Sequence, residues 1–340
     1  MDNNIYKRKW EVINKYNERL DEKNYISTIY AHYTSMNSLF SILEGDSFWA
    51  SNVRFSNDSL EERMLKIDGM ENRDDYVLCY CSNDDILSQW RGYCHNGGAS
   101  ISLNLETPME YSILHADYES SGKYVLYENC PLPVIYLNKK DVPEQVQENL
   151  KNAINSCKDS SDIKLEDMLP YLKNGHFREE KEERLLFSNT NGLFSNCIRF
   201  RTLPDGVKVP YIVVKCGNMG KMKTACPMDL DSFENKDLDE MLKGLLPALF
   251  PPIYIEEGYD QETKYYETVK IVKKYCMEKG IRCMPKIYCK GHLPIRKIRV
   301  APTYDRERKA EQIKRFCQSK YWLKDVEVEV SDIPYIQPLL

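Results

Sequence analysis

Two short segments hold residue types whose chemistry works in pairs. The first is FREEKEERLLF at 177–187. If its strand begins early, Glu180, Glu182 and Arg184 alternate onto one side. Paired carboxylates suit glycosidic chemistry, in which one steadies an oxocarbenium-like centre and the other orients or deprotonates the acceptor. The second is His32–Tyr33–Thr34, at the end of a run of β-formers, where His32 and Thr34 share a strand face. Each segment also has a plainer reading, a solvated charge run for the first and a helix-entry histidine for the second. What separates the readings is geometric: whether the imidazole and the carboxylates converge.

The elements that must position these residues are legible in outline. Residues 3–24 have helical apolar spacing and predict an N-terminal helix. A strand over Ile29–Tyr33 leads to Ser35, placed to cap a helix with Met36, Leu39, Phe40, Ile42 and Leu43 inward and Gly45 at its stop. Further strands are predicted at 48–53, 76–81 and 99–105, the last from its alternation. The stretch 138–176 is polar and helix-prone from Pro143, and strands resume at 182–188 and 209–216. The C-terminal third reads as α/β crossover units: PPIYIEE, a helix near 260–279 and IRCMPKIYC, then IRKIRVAP, a helix near 305–319 and VEVEVS. This gives an N-terminal helix (1–24), a core (25–216) and a C-terminal α/β region (217–340) packed on it, with the boundary near 217–232.

Composition removes several classes. At 340 residues, 42% apolar and 29% charged, the chain is neither disordered, collagen-like nor coiled coil. Its longest apolar run, GLLPALFPPIYI, is broken by Pro247, Pro251 and Pro252, and the charged N-terminus has no signal-peptide core. A soluble, cytoplasmic protein without membrane contact is expected. The twelve cysteines contain no CxxC pair and read as small buried hydrophobes among reduced thiols. Five scattered histidines give neither HExxH nor a zinc spacing, so no metal is expected. GNMGKMKT at 217–224 does not satisfy the P-loop pattern, and no GxGxxG occurs. Charge is uneven: residues 281–320 hold twelve Lys/Arg against three acids. Such an excess can attract phosphate-bearing partners, though a solvated helix face is the plainer reading.

HYTSMNSLFSILEGDSFWASNVRFSND resembles the opening of ADP-ribosyltransferase-like folds, where a strand-borne His-x-Thr precedes a helix ending in Gly. The whole chain resembles a prokaryotic family known as domain of unknown function 2971. The motifs stand in order: HYTS at 32–35, FSND with Glu61 at 55–61, WRGY at 90–93, FREEKEER at 177–184 and SDIPY at 331–335. The resemblance implies an α+β fold with an ADP-ribosyltransferase-like split β-sheet core, and NAD as substrate. His32 would hydrogen-bond a ribose hydroxyl, supported by Thr34. Tyr93 would stack on nicotinamide, with Trp90 and then Tyr33 as the other aromatics for that place. Glu182 would take the ribose 2′-hydroxyl and stabilise the developing positive charge. Glu180 would activate the acceptor. Arg54, Asn57, Asp58 and Glu61 would line the cleft, with Arg54 at the pyrophosphate, although Asn57 and Asp58 equally suit a turn. The Gly-rich loop and Ser-Thr-Ser strand of some toxin-like transferases are absent.

The implied function is an NAD-consuming enzyme: transfer of ADP-ribose to an unknown macromolecular acceptor, protein or nucleic acid, or NAD hydrolysis. A toxin or phage-defence effector with a regulatory or antitoxin partner fits the family type. The alternative is a non-enzymatic module that binds nucleotide or nucleic acid through the cleft or the basic C-terminal region.

Overall fold

The computed structural model describes residues 4–18, 29–55, 74–94, 97–105, 109–138, 141–157, 162–203, 206–217, 224–225, 286–287, 292–320 and 322–334. The chain opens with α1 (Asn4–Glu18), β1 (Tyr30–Ser35), α2 (Met36–Gly45), β2 (Phe48–Asn52), β3 (Asp75–Cys81), α3 (Leu87–Tyr93) and β4 (Gly98–Leu103). There follow β5 (Met109–Leu114), β6 (Tyr124–Asn129), β7 (Leu132–Pro133), β8 (Ile135–Leu137), α4 (Pro143–Ser156), β9 (Leu172–Asn174), β10 (Glu182–Ser188), β11 (Arg199–Thr202) and β12 (Lys208–Cys216). The last described elements are β13 (Thr224–Ala225), β14 (Lys286–Ile287), β15 (Ile295–Val300), α5 (Arg306–Gln318) and β16 (Glu327–Val330). The fold is α+β, with one large mixed sheet.

The contacts divide the chain into two units, Met1–Cys216 with His292–Leu340, and Gly217–Gly291. In the second unit, β13 and β14 pair antiparallel. The helix expected near 260–279 lies outside the described residues. In the first unit the sheet runs β16-β15-β4-β1-β3-β2-β12-β5-β6, with β10, β7 and β11 attached off that path. The chain thus leaves this unit at 216, and its final strand-helix-strand returns to extend the same sheet. Only the β15–β16 pair in it is parallel, which requires a crossover, and α5 supplies it.

The decisive feature is a branch at β3. One edge of β3 pairs along its full length with β10, from Glu182↔Cys81 to Ser188↔Asp75. Its other edge is shared by two strands: β1 at one end (Ala31↔Cys81) and β2 at the other (Ser51↔Val77, Asn52↔Tyr76). Between those contacts β1 and β2 diverge, and a cleft opens over the middle of β3.

Local chemistry explains how α2 starts beside this cleft. Ser35 Oγ accepts the Ser38 N–H at 3.2 Å, and Leu39, Ile42 and Leu43 are buried at helical spacing. The stop differs from the expectation at Gly45: the left-handed residue is Asp46, at φ 47°. A non-glycine residue is held there because its carboxylate takes the Leu293 N–H at 2.8 Å and pairs with His292 at 2.7 Å. Ser35→Ala should lower stability by about 1 kcal/mol, read as a thermal shift of a few degrees. A shift within error would mean that water replaces the cap.

Three clusters hold the unit together. The largest joins α2, α5 and the central strands through Leu39, Leu43, Phe48, Ile101, Ile298 and Ile313. A second joins α1 and α4 through Val12, Ile13, Tyr16 and Leu150. A third is small: Ala31, Tyr33, Cys81, Trp90, Cys94 and Ala301. Six of the eight described cysteines are buried, as expected of small hydrophobes, and none of the eight is in a disulfide.

Candidate active site

The cleft at the β3 branch is a cavity of about 480 Å³. Its lining includes His32 and Thr34 from β1, Tyr93 from the end of α3, and Glu180 and Glu182 at the entrance to β10. The imidazole from the front of the chain and the carboxylates from its middle therefore line one cavity.

His32 Nδ1 lies 3.1 Å from the Cys79 carbonyl, in the gap between β1 and β2. A carbonyl only accepts, so Nδ1 carries the hydrogen and Nε2 of the neutral ring is an acceptor. Burial pushes the His32 pKa down, against the opposing effect of the Cys79 hydrogen bond, and this keeps the ring neutral at neutral pH. Edge-on contact with Phe48, at 5.1 Å between ring centres, fixes its plane.

The carboxylates reach the cavity by a route that alternation alone does not give. Residues Gly175–Glu180 form a 3-10 turn, not an early strand, and β10 begins only at Glu182. Lys181 between them is left-handed, at φ 44°, which breaks the alternation and brings Glu180 beside Glu182. The turn also needs Gly175, where a Cβ would stand 2.5 Å from the Leu137 carbonyl.

Lys173, from the three-residue β9, ties the two acids together. Its Nζ is 2.7 Å from Glu180 Oε2 and pairs with Glu182 Oε2. Glu182 Oε1 accepts from Arg184 Nε, and Arg184 Nη1 donates to the Pro170 carbonyl at 2.6 Å. The backbone N–H of Glu182 donates to the Tyr136 hydroxyl at 2.7 Å. All four charged side chains are buried. Burial works against ionisation of Glu182, but Arg184 and Lys173 outweigh it and hold the pKa at about 2. For Glu180 burial wins over the attraction of Lys173, and its pKa is raised. The two neighbouring carboxyls are thus shifted in opposite directions, Glu182 down and Glu180 up.

Other predicted residues are placed elsewhere. Tyr93 lines the cavity and is 46% exposed. Trp90 is buried in the small third cluster, its Nε1 donating to Asp85 at 2.7 Å, and is not among the cavity residues. Tyr33 borders the cavity, yet its ring packs on Trp90 and its hydroxyl bonds Asn83 and Ile86. Both are framework, because the strand that turns His32 and Thr34 to the cleft turns Tyr33 the other way. Arg54 is exposed on the turn after β2 and is not among the cavity residues. Asn57, Asp58 and Glu61 lie outside the described residues. The SDIPY segment meets the α3 entrance at Asp85, which accepts from Ser331 Oγ at 2.6 Å and from the Asp332 N–H.

Four described cations of the basic C-terminal run are paired internally. Lys297 and Arg299 lie against Asp84 and Glu329, Lys309 against Asp305, and Arg315 against Glu311. Among the described residues there is no group of three or more His, Cys, Asp or Glu that could hold a metal, and no helix long and apolar enough to cross a membrane.

Sequence reasoning missed Lys173, Gln89, Trp49, Phe55 and Arg201 in the cavity wall. Lys173 gave no signal, since three residues inside a polar stretch show no periodicity. Trp49 did give one: between inward Phe48 and Ala50 it must face out. Compared with family models, curated proteins and solved structures, the chain matches none. The family resemblance therefore stands on its five sequence motifs.

Proposed function

We propose that the protein is an NAD-consuming ADP-ribosyltransferase-like enzyme and that the forked sheet is its ADP-ribosyltransferase-like core. The observation that carries this reading is that His32, Glu180 and Glu182 line one cleft. The nicotinamide ribose would lie between them. Nε2 of His32 accepts a ribose hydroxyl, and Tyr93 stacks on the nicotinamide ring. Glu182 remains ionised, and although Lys173 and Arg184 occupy part of it, a carboxylate has further lone-pair sites for the 2′-hydroxyl. As the glycosidic bond breaks, its electron pair leaves with the nicotinamide nitrogen and positive charge develops at the ribose. Glu182, itself buried, opposes that charge. The acceptor attacks the same carbon and gives its proton to Glu180.

The test is to incubate purified protein with NAD and follow free nicotinamide. Wild type should release it, and His32→Ala should release it at least ~10-fold more slowly, the loss of one positioning hydrogen bond. Equal rates, or no release by wild type with or without a candidate acceptor, would remove the reading.

A further inference from the structure

The mouth of the cleft carries a set of groups that NAD cleavage does not use. Trp49 and Phe55 are each 45% exposed although they line the cavity, and the exposed Arg201 lies with them. Large aromatic side chains left open beside a cation are a stacking platform rather than a core. Trp49 is braced from behind by Tyr211, stacked at 4.7 Å and 28°. Arg201 is oriented by a 3.0 Å bond from Nη2 to Ser51 Oγ.

The charge pattern extends beyond the mouth. Strands β2, β11 and β12 are hydrogen-bonded neighbours. Together with the turn Val53–Phe55 they hold Arg54, Arg199, Arg201, Lys208 and Lys215 and no acidic residue, in a chain whose net charge is −5. Register and alternation place Trp49, Ser51, Arg199, Arg201, Tyr211 and Lys215 on one face. A mononucleotide would engage one or two of these cations. Three of them share that face, Arg199 (held by its 3.0 Å bond to the His115 carbonyl), Arg201 and Lys215, and a phosphate chain passing along it meets more than one cation.

We propose that Trp49, Phe55 and Arg201 form the acceptor subsite, and that the acceptor is a base of single-stranded nucleic acid whose backbone follows the β2–β12–β11 face. Its role as acceptor site rests on the NAD reading above; its binding does not. Aromatic stacking presents a single unpaired base to the cleft, and Glu180 stands inside the same cavity to take the acceptor proton. A paired base cannot stack in this way, so duplex is disfavoured.

The experiment is fluorescence anisotropy with labelled mixed-sequence DNA and RNA strands of about twelve nucleotides, without NAD, across a salt series. Wild type should bind single strands, more weakly as salt rises. Trp49→Ala should weaken binding roughly ten-fold, as loss of one stacked base does, and Arg201→Ala should weaken it and reduce the salt slope by about one. Phe200→Ala is the control. It removes an aromatic that is 63% exposed on the same strand as Arg201 but on the other face, and should bind as wild type does. The exposed positions of Trp49 and Arg201 make misfolding easy to check by thermal melts. The proposal is overturned if no strand binds at low salt, if duplex binds as tightly, if ADP-ribose competes as well as the strand, or if Phe200→Ala loses as much as Trp49→Ala. Any of these leaves nicotinamide release untouched, whereas failure of nicotinamide release leaves the strand measurement standing.

Discussion

Glu182→Gln lowers nicotinamide release by roughly 10²–10³-fold, as removal of one preorganised charge-stabilising group does, while Glu180→Gln alters the pH profile instead. The difference follows from their surroundings. Glu182 is pinned as an anion at a pKa of about 2 by Arg184 and Lys173, so it offers the same negative charge at any working pH. Glu180 is raised by burial, so part of its titration falls closer to neutrality. Transfer to an acceptor should then rise with pH as Glu180 loses its proton and becomes a base. In Glu180→Gln that rising limb disappears and the remaining transfer is slow at every pH, but release of nicotinamide to water is less affected. The measurement is a pair of pH profiles, one for nicotinamide and one for labelled acceptor. Identical losses in both profiles for both variants would end the division of roles.

The second large effect is on stability. Lys173 is buried against both carboxylates, and Lys173→Met leaves them facing each other with only Arg184 in compensation. Removing one partner from a buried ion-pair group costs about 3–5 kcal/mol, a fall in melting temperature on the order of ten degrees for a chain of this size. Adding Glu180→Gln should recover much of the loss, because it removes the charge that Lys173 balanced. Lys173→Arg, which keeps the charge, should lose less. A loss below about 1 kcal/mol, the range of exposed pairs, would show that water already compensates the cluster.

The same cluster fixes the sign of the acid response. Glu182 falls from an ordinary 4.5 to about 2 on folding. Its contribution is therefore complete above 4.5 and is lost as pH falls from there through 2, about 3 kcal/mol in all. Glu180 moves the other way: its raised pKa opposes folding above the ordinary carboxylate range and ceases to do so on acidification. Mild acid should accordingly cost the wild type little, and the steep loss should come only as Glu182 takes its proton. Lys173→Met, lacking the cation that depresses Glu182, should have that loss moved to higher pH. Melting temperature against pH for the two proteins checks the order.

By itself the sequence determined the elements whose signal is local. Ser35 with the Leu39–Ile42–Leu43 spacing specified α2, because a cap and a helical period act within one turn. Alternation turned His32 and Thr34 to the same side and set Glu182 and Arg184 on one face of β10, because side-chain direction in a strand depends only on parity. Pro143 marked the start of α4, and the final strand-helix-strand was legible from its period change.

Only the tertiary structure decided what these faces meet. That β3 shares one edge between β1 and β2 depends on pairings between residues tens of positions apart, which no local pattern encodes. The same holds for Lys173, supplied by a three-residue strand, and for the bond from His32 to a carbonyl 47 residues away. Trp90 and Tyr93 look equivalent on a short helix, yet one fills a small core and the other lines the cleft, because the packing of Ala31 and Tyr33 of β1 and of Ala301 against α3 selects the buried side. Residue type carried the chemistry, and long-range strand pairing brought its parts to one place.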